Sequence, residues 1–438
     1  MRFTITLLSL AFLSACSEPT TQQTTEAALP SPVAAATTEA DNGWNLGYMA
    51  AVANPYATEA AAEMLAQGGH AVDAAIAAHL VLGLVEPESS GIGGGGFMVV
   101  YERDEKQVHF LDGRETAPAG ATADMFMREN VVMGFLDAWQ SGKAVGVPGA
   151  IALYKLAHDE YGILPWATLF EPAIRLASEG FNVTAKMAGY LPQLAQISRL
   201  DENPGSAEYF YPNGQPLQAG TLLRNPEYAH TLQRVAEEGP SAFYSGEIAE
   251  AMAAAAQAGP EAGSMTVEDI AAYKAVSRPA ICGAWRDLNI CSATPPSSGA
   301  MQIMMANLYE QMVPADATQE QQIAAFVDAQ RLSYADRDYY FGDPDRISVP
   351  VEQLLDPRYI EFRANNPILP GATSVPGDPS AVLGNDSAAI WAADNTDEVA
   401  GTTHFSIVDN DGNAVSITMT VESPFGSSRW VAGFLLNN

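Results

Sequence analysis

The residue pair best suited to catalysis is a threonine directly after a glycine, at the start of a strand-like pattern. Thr402 follows Gly401, and alternating polar and apolar residues begin there. If the bond between the two residues is cleaved, Thr402 carries both a hydroxyl nucleophile and a free α-amine. The pKa of such an amine is about 7.7–8.0, so it can accept the hydroxyl proton near neutral pH. The spacing alone also fits strand hydroxyls with no catalytic role, because threonine favours strands.

The surrounding sequence predicts a β-hairpin that positions this threonine. Residues 403–408 alternate between polar and apolar types, and residues 414–421 alternate again. Between them, residues 409–413 are dense in asparagine, aspartate and glycine. Two period-2 runs around such a turn are typical of a hairpin. Thr402 would therefore lie at its leading edge.

A glycine run lies between a helix pattern and a strand pattern earlier in the chain. Residues 71–85 are apolar nearly all round, which predicts a buried helix, and residues 98–103 predict a strand. Residues 93–96 are four consecutive glycines. A phosphate-binding loop would need a lysine and a following helix, so we favour close backbone approach at a core strand.

Composition limits the class of protein. The 438 residues could form one large domain or two to three average ones, and 47% apolar content suffices for a substantial core. The 21 Lys and Arg against 52 Asp and Glu give a net charge of −31. Because phosphate binding needs clustered cations, this balance argues against nucleic acid as a partner. It favours a very soluble protein, such as one from a saline habitat.

The N-terminus indicates export. A basic start is followed by an apolar stretch at residues 5–12, too short to span a bilayer, and then by Leu13-Ser14-Ala15-Cys16. This arrangement resembles a bacterial lipoprotein signal, which would make residues 1–16 the signal region and Cys16 the lipidated residue in the periplasm. An ordinary signal peptide with an incidental cysteine is the alternative. The composition of residues 17–43 predicts a disordered tether.

Two further cysteines could pair. A hairpin that turns at Arg286 and Asp287 would place Cys282 opposite Cys291. An exported compartment would permit a disulfide there, and two reduced buried thiols are the alternative. The sequence has no CxxC motif or histidine-rich cluster, so we expect no metal site.

Several motifs, in order along the chain, resemble the γ-glutamyltransferase family of N-terminal-nucleophile hydrolases. They are the glycine run, Asp112-Gly113-Arg114-Glu115, Pro295-Pro296-Ser297-Ser298-Gly299, Gly342-Asp343-Pro344-Asp345 and Gly401-Thr402-Thr403-His404. The resemblance extends from about residue 48 to residue 438. It implies an α+β fold, a four-layer αββα sandwich in which Thr402 begins a central strand.

The resemblance also implies a role for each matching residue. Thr402 would be the catalytic threonine, released by autocleavage after Gly401, and Thr420 would hydrogen-bond the nucleophile. Arg114 matches the arginine that binds the α-carboxylate of the substrate, and a guanidinium fork suits a carboxylate. Glu422 stands where many members carry asparagine, and it would hold the substrate amine.

The function so implied is γ-glutamyl transfer or hydrolysis, with glutathione or a related γ-glutamyl compound as substrate and no cofactor. Cleavage would divide the chain into a large-subunit-like region, 44–401, and the start of a small-subunit-like region, 402–438. The second piece would remain the partner of the first, and the lipid anchor would hold both at the membrane.

Members of the family continue well beyond the point matching Asn438, with acidic residues, a serine pair and a Gly-Gly oxyanion hole. We therefore expect the chain to be C-terminally truncated, with an incomplete sandwich. Two alternatives to the leading function remain open. One is an amidase like the cephalosporin acylases of the same superfamily, which Glu422 and residues 423–429 keep open. The other is an inactive, lipid-anchored binding protein.

Overall fold

A computed structural model describes residues 47–259, 261–366, 368–369, 371–384, 391–393 and 401–438. The signal region, the tether and Cys16 lie outside these residues, so export and lipidation remain predictions. Within the described ranges no helix is both long enough and apolar enough to cross a membrane.

The α-helices are α1 Pro55–Ala66, α2 Ala71–Val85, α3 Phe135–Trp139, α4 Ala150–Tyr161, α5 Glu171–Glu179, α6 Ala185–Ser198, α7 Ser206–Phe210, α8 Pro226–Glu238, α9 Ser241–Tyr244, α10 Gly246–Ala256, α11 Val267–Ala272, α12 Gly299–Met312, α13 Gln319–Tyr340, α14 Val351–Leu354, α15 Pro357–Asn365 and α16 Pro379–Leu383. The strands are β1 Met49–Ala51, β2 Gly95–Glu102, β3 Gln107–Gly113, β4 Met127–Arg128, β5 Val131–Val132, β6 Phe181–Asn182, β7 Leu222–Leu223, β8 Val276–Pro279, β9 Ile281–Trp285, β10 Leu288–Ser292, β11 Thr402–Val408, β12 Ala414–Thr420, β13 Trp430–Val431 and β14 Phe434–Leu435.

The predicted hairpin is confirmed and forms part of a six-stranded sheet with the order β1-β11-β12-β2-β3-β8. β11 and β12 pair antiparallel over seven residues each. In the turn, the Asp409 carboxylate accepts hydrogen bonds from the backbone N–H groups of Asp411 and Asn413. It also accepts one from the N–H of Ala71, at the first residue of α2. One carboxylate thus closes the turn and fixes the hairpin to the buried helix.

The helix α2 is buried, as its all-round apolar pattern predicted, and it covers one face of this sheet. All of its 15 residues except Gly83 are buried. It begins with a reciprocal cap, in which the His70 side chain accepts from the helix backbone and Asp73 accepts from the N–H of His70. The helix contacts β11, β12 and α4, and α4 contacts β2 and β3, so both helices lie on the same face. Burying the valine, leucine and isoleucine side chains of this helix contributes about 1.5–3 kcal/mol each.

The glycine run is confirmed as a region of close backbone approach. A Cβ at Gly94 would lie 2.0 Å from the carbonyl oxygen of Thr420, and one at Gly96 would lie 2.1 Å from that of Thr418. Both distances are shorter than any real contact, so only glycine lets β2 lie this close to β12.

A second, smaller core lies around α12, α13 and α15. In its interior the buried Asp336 carboxylate pairs with the Arg363 guanidinium at 3.0 Å. The hairpin of β9 and β10 packs against α12, and its register sets Cys282 opposite Cys291. The structure joins these two residues by a disulfide.

The α+β class is confirmed. The described residues supply one large sheet with a helical layer on one face, two of the four layers expected. On the opposite face of β11, Thr402, His404 and Ser406 are exposed. Among the described strands, no second large sheet covers that face.

Candidate active site

The strand registers bring the candidate residues to one end of the sheet. Thr402, the first residue of β11, pairs with Thr420, the last residue of β12. Thr420 pairs in turn with Gly95, the first residue of β2. The neighbouring strand β3 ends at Gly113 at the same end of the sheet, and Arg114 follows it. Residues far apart in the chain therefore meet because four strands begin or end in one row.

A chain of hydroxyl contacts surrounds the bond between Gly401 and Thr402. The Thr402 hydroxyl donates to Thr420 Oγ1 at 3.2 Å. The Thr420 hydroxyl donates to the carbonyl oxygen of Gly401 at 2.8 Å and accepts from the backbone N–H of Glu422 at 2.7 Å. A threonine hydroxyl has one proton to donate and two lone pairs to accept, so the capacity of Thr420 is fully used. Its proton points at the carbonyl that a Thr402 nucleophile would attack.

The position before Thr402 requires a glycine for a steric reason. A Cβ at Gly401 would lie 2.0 Å from the carbonyl oxygen of Glu422. Glu422 itself has φ of 76°, in the left-handed region that non-glycine residues rarely adopt. The chain thus turns sharply after β12, and its backbone closes over Gly401. The backbone φ of Gly401 is outside the left-handed region, so close approach explains the glycine here.

An ion-pair cluster adjoins the hydroxyl chain. The Arg114 guanidinium lies 2.7 Å from a Glu422 carboxylate oxygen and 3.3 Å from one of Glu115. The Glu115 carboxylate, and to a smaller extent the Glu422 carboxylate, raises the pKa of Arg114. Burial raises the pKa of Glu115. The Arg114 and Glu422 side chains are 36% and 45% exposed, so a ligand can reach both.

A cavity of about 280 Å³ lies beside this cluster. Its lining combines charged groups with small and apolar side chains: Arg114, Glu115, Thr116, Ala117, Pro118, Met125, Phe126, Lys143, Ala144, Val145, Gly146, Glu422, Asn437 and Asn438. Glu422 therefore lines the cavity and also contacts the hydroxyl chain through its backbone N–H. The arrangement can hold a small polar molecule against the Arg114–Glu422 ion pair.

The structure brings five of the candidate residues together. They are Gly401, Thr402, Thr420, Glu422 and Arg114. The Cys282–Cys291 disulfide belongs to the hairpin on the second core. Within the described residues, no group of three or more His, Cys, Asp or Glu could hold a metal ion.

Sequence reasoning missed three lining residues, Glu115, Lys143 and Asn437. Asn437 ties two segments together, because its amide donates to the carbonyl oxygens of Gly93 and Gly146. A signal existed for Glu115, which follows Arg114 directly in a recognised motif. Lys143 and Asn437 carry no local signal.

Comparison with known proteins agrees with the motifs. A family model described as gamma-glutamyltranspeptidase matches residues 57–438. The glutathione hydrolase proenzyme of Bacillus subtilis is 36% identical over 400 residues, covering 89% of this chain and 67% of the relative. The glutathione hydrolase proenzyme of Escherichia coli is 35% identical over 404 residues, covering 89% of this chain and 66% of the relative. The chain thus spans about two thirds of the length of these relatives.

Two solved structures with the same fold are enzymes with different named activities. A gamma-glutamyltranspeptidase from Pseudomonas nitroreducens superposes with a TM-score of 0.67 at 33% identity, covering 74% of this chain and 95% of the other. A cephalosporin acylase from Bacillus halodurans superposes with a TM-score of 0.75 at 26% identity, covering 94% of this chain and 72% of the other. The family model spans most of the chain and the sequence relatives exceed 30% identity. The chain therefore belongs to the gamma-glutamyltranspeptidase family of enzymes, within the N-terminal-nucleophile hydrolases.

Proposed function

We propose that this protein cleaves itself between Gly401 and Thr402 and then uses Thr402 to transfer or hydrolyse γ-glutamyl groups of glutathione and related amides. The observation that carries the proposal is the hydroxyl chain from Thr402 through Thr420 to the Gly401 carbonyl oxygen. It lies next to the Arg114–Glu422 ion pair. A nucleophile, a polarised carbonyl and a charged receptor for an amino-acid head group thus lie at one end of the sheet.

In the first step, the Thr402 oxygen attacks the Gly401 carbonyl carbon. The C–N bond breaks as the C–O bond forms, and the proton of the Thr402 hydroxyl passes to the former amide nitrogen, which becomes a free amine. Water then hydrolyses the ester and leaves Thr402 as a new N-terminus. The Thr420 hydroxyl supports this step, because its hydrogen bond strengthens as negative charge develops on the Gly401 oxygen.

In the second step, the free amine of Thr402 takes the proton of its own hydroxyl, and the oxygen attacks the γ-carbonyl carbon of the donor. The donor C–N bond breaks, and the departing amine takes the proton. The γ-glutamyl ester on Thr402 is then resolved by water or by an acceptor amine. Cleavage also removes the Gly401 carbonyl from Thr420, whose hydroxyl can then hydrogen-bond the nucleophile.

Recognition of the donor head group follows from the charges of the cluster. The α-carboxylate of a γ-glutamyl group suits the forked guanidinium of Arg114. Its α-ammonium suits the half-exposed carboxylate of Glu422, 2.7 Å from that guanidinium. A zwitterion can therefore replace the internal ion pair with two pairs of its own, without leaving a charge unpaired.

An amidase like the cephalosporin acylases, with glutaryl amides as its test substrates, is the second candidate function. The Acylase ACY 1 proenzyme of a Pseudomonas strain is 33% identical to this chain over 405 residues. A glutaryl group has the carboxylate of a γ-glutamyl group but lacks its ammonium. Glu422 would then face the substrate without a partner, so the charges favour the γ-glutamyl donor.

The proposal is tested by following the intact mass and N-terminal sequence of the purified protein over time. We expect a new N-terminus at Thr402 in the wild type and none in Thr402→Ala. The processed sample should release amine from γ-glutamyl amides faster than from glutaryl amides of the same amine. Faster glutaryl release would support the amidase instead.

A wild-type chain that keeps a single mass after prolonged incubation, as Thr402→Ala does, would overturn self-processing. The inactive binding protein would then be the better interpretation. A circular dichroism spectrum of each sample shows whether an uncut chain is folded, so that misfolding is not mistaken for the absence of a nucleophile.

A further inference from the structure

The cavity beside the Arg114–Glu422 ion pair is lined by a second cationic side chain. In a chain with 21 Lys and Arg and a net charge of −31, positive groups are scarce. Two of them, Arg114 and Lys143, nevertheless line the same cavity. The head-group recognition described above uses Arg114 and leaves Lys143 without a role.

The backbone separates the two cations along the cavity. The segment after β3 and the segment before α4 form one antiparallel bridge, at Thr116 and Val147. Along the chain, Arg114 comes before Thr116 and Lys143 comes before Val147. Because antiparallel segments run in opposite directions, residues that precede a bridge on both sides lie on opposite sides of it. A single elongated ligand can therefore meet Arg114 at one position and Lys143 at another.

The Lys143 ammonium has capacity for a ligand. It lies 2.9 Å from a carboxylate oxygen of Glu261, its ion-pair partner within the described part of the chain. Glu261 also pairs with Arg128 at 2.7 Å, so it is shared between two cations. An ammonium has three protons to donate, and the Lys143 side chain is 23% exposed. Glu261 thus holds the ammonium in place without using all of its donors.

We propose that Lys143 binds a carboxylate on the amine half of the substrate, which makes it a specificity-determining residue. The inference rests on the proposed function and names the substrate class of the same site. The departing amine and the acceptor amine react at the same acyl carbon, so they share one subsite. An amino acid or short peptide in that subsite carries a carboxylate, as the cysteinylglycine portion of glutathione does. The apolar side chains of Met125 and Phe126 line the same cavity.

The experiment compares two chromogenic donors that differ by one carboxylate, γ-glutamyl-4-nitroanilide and γ-glutamyl-3-carboxy-4-nitroanilide. The quantity measured is the ratio of their kcat/KM values on the same processed sample. This ratio does not depend on the fraction of folded enzyme. We expect Lys143→Met to lower the ratio of carboxylated to plain donor by roughly two- to fivefold, the scale of one partly exposed ion pair.

Two further variants sharpen the result. Lys143→Arg keeps the positive charge and should retain most of the wild-type ratio. Lys155→Met is the matched control, because Lys155 pairs with Asp159 on the surface of α4, and its ratio should stay at the wild-type value.

An unchanged ratio in Lys143→Met would overturn the inference. An equal fall in the ratio for Lys155→Met would overturn it as well. If the processed wild type released neither anilide, the proposed function would fail and the inference would fall with it. Release of both anilides with no effect of Lys143 would contradict the inference alone.

Discussion

At the scale of single residues, Thr420 connects the candidate nucleophile to the bond that it would cleave. Its hydroxyl contacts Thr402, the Gly401 carbonyl oxygen and the backbone N–H of Glu422 at 2.7–3.2 Å. Valine has nearly the same shape as threonine but cannot donate or accept a hydrogen bond. The substitution Thr420→Val therefore isolates the contribution of the hydroxyl.

We expect Thr420→Val to slow processing at Gly401 by about 100- to 1000-fold, the usual cost of one lost oxyanion donor. The measurement is a time course of intact mass after purification. Thr418→Val is the matched control, because Thr418 lies two residues earlier in β12 and contacts His404. Its processing rate should stay close to that of the wild type. Processing of Thr420→Val at the wild-type rate would contradict the role of the hydroxyl.

At the scale of elements, residues 86–94 connect α2 to β2 and support the turn that follows β12. The carbonyl oxygens of Glu88 and Ser89 accept hydrogen bonds from the N–H groups of Phe425 and Val421. The Glu88 side chain is buried, with Lys186 at 3.4 Å and Glu86 nearby. Burial raises the pKa of Glu88 from 4.5 to about 7, against the opposing effect of Lys186. The packing of this segment therefore favours a protonated Glu88.

This shift predicts a pH-dependent stability. The pKa of Glu88 is higher in the folded state than in the unfolded state, so its favourable contribution is complete below pH 4.5 and is lost as pH rises through about 7. From pH 5.5 to 8, the wild type should lose about 2 kcal/mol of unfolding free energy relative to Glu88→Gln. Urea unfolding of both proteins at the two pH values measures this difference.

An exposed carboxylate provides the control for Glu88. Glu105→Gln also removes one negative charge, at an exposed position between β2 and β3. It should follow the wild type at both pH values within about 0.5 kcal/mol, as surface substitutions usually do. If Glu88→Gln and Glu105→Gln had the same pH dependence, the buried carboxyl would not be the cause.

At the scale of the whole molecule, the dominant feature is the large negative net charge. A net charge of −31 places many like charges on one surface, and their repulsion opposes the compact state. Salt shortens the range of this repulsion, since the Debye length is about 30 Å at 0.01 M and about 3 Å at 1 M. The stability of the folded chain should therefore depend on ionic strength.

We expect the melting temperature to rise by at least about 2 °C between 0.02 and 1 M NaCl, corresponding to roughly 1 kcal/mol of relieved repulsion. Differential scanning calorimetry measures the change. KCl at equal ionic strength should have the same effect, because screening depends on charge and concentration. A melting temperature that stays constant or falls would show that repulsion does not limit stability.

Local patterns in the sequence determined the hairpin, the buried helix and the position of Thr402 within them. Alternation in residues 403–408 and 414–421 sets which side chains share a face, and the turn at 409–413 sets the pairing of β11 with β12. The apolar run at 71–85 similarly predicts α2. These features depend on neighbours within about twenty residues, so sequence reasoning can reach them.

The tertiary structure alone decided how the rest of the site is assembled. Arg114 and Glu422 are 308 residues apart, and their ion pair forms because β2 and β3 lie beside the hairpin in the sheet. The same packing places Lys143 in the cavity and closes the Glu422 backbone over Gly401. Sequence periodicity specifies which face of a strand is buried but leaves the order of strands open. That order follows from burying the sheet under α2 and α4, a property of the whole fold.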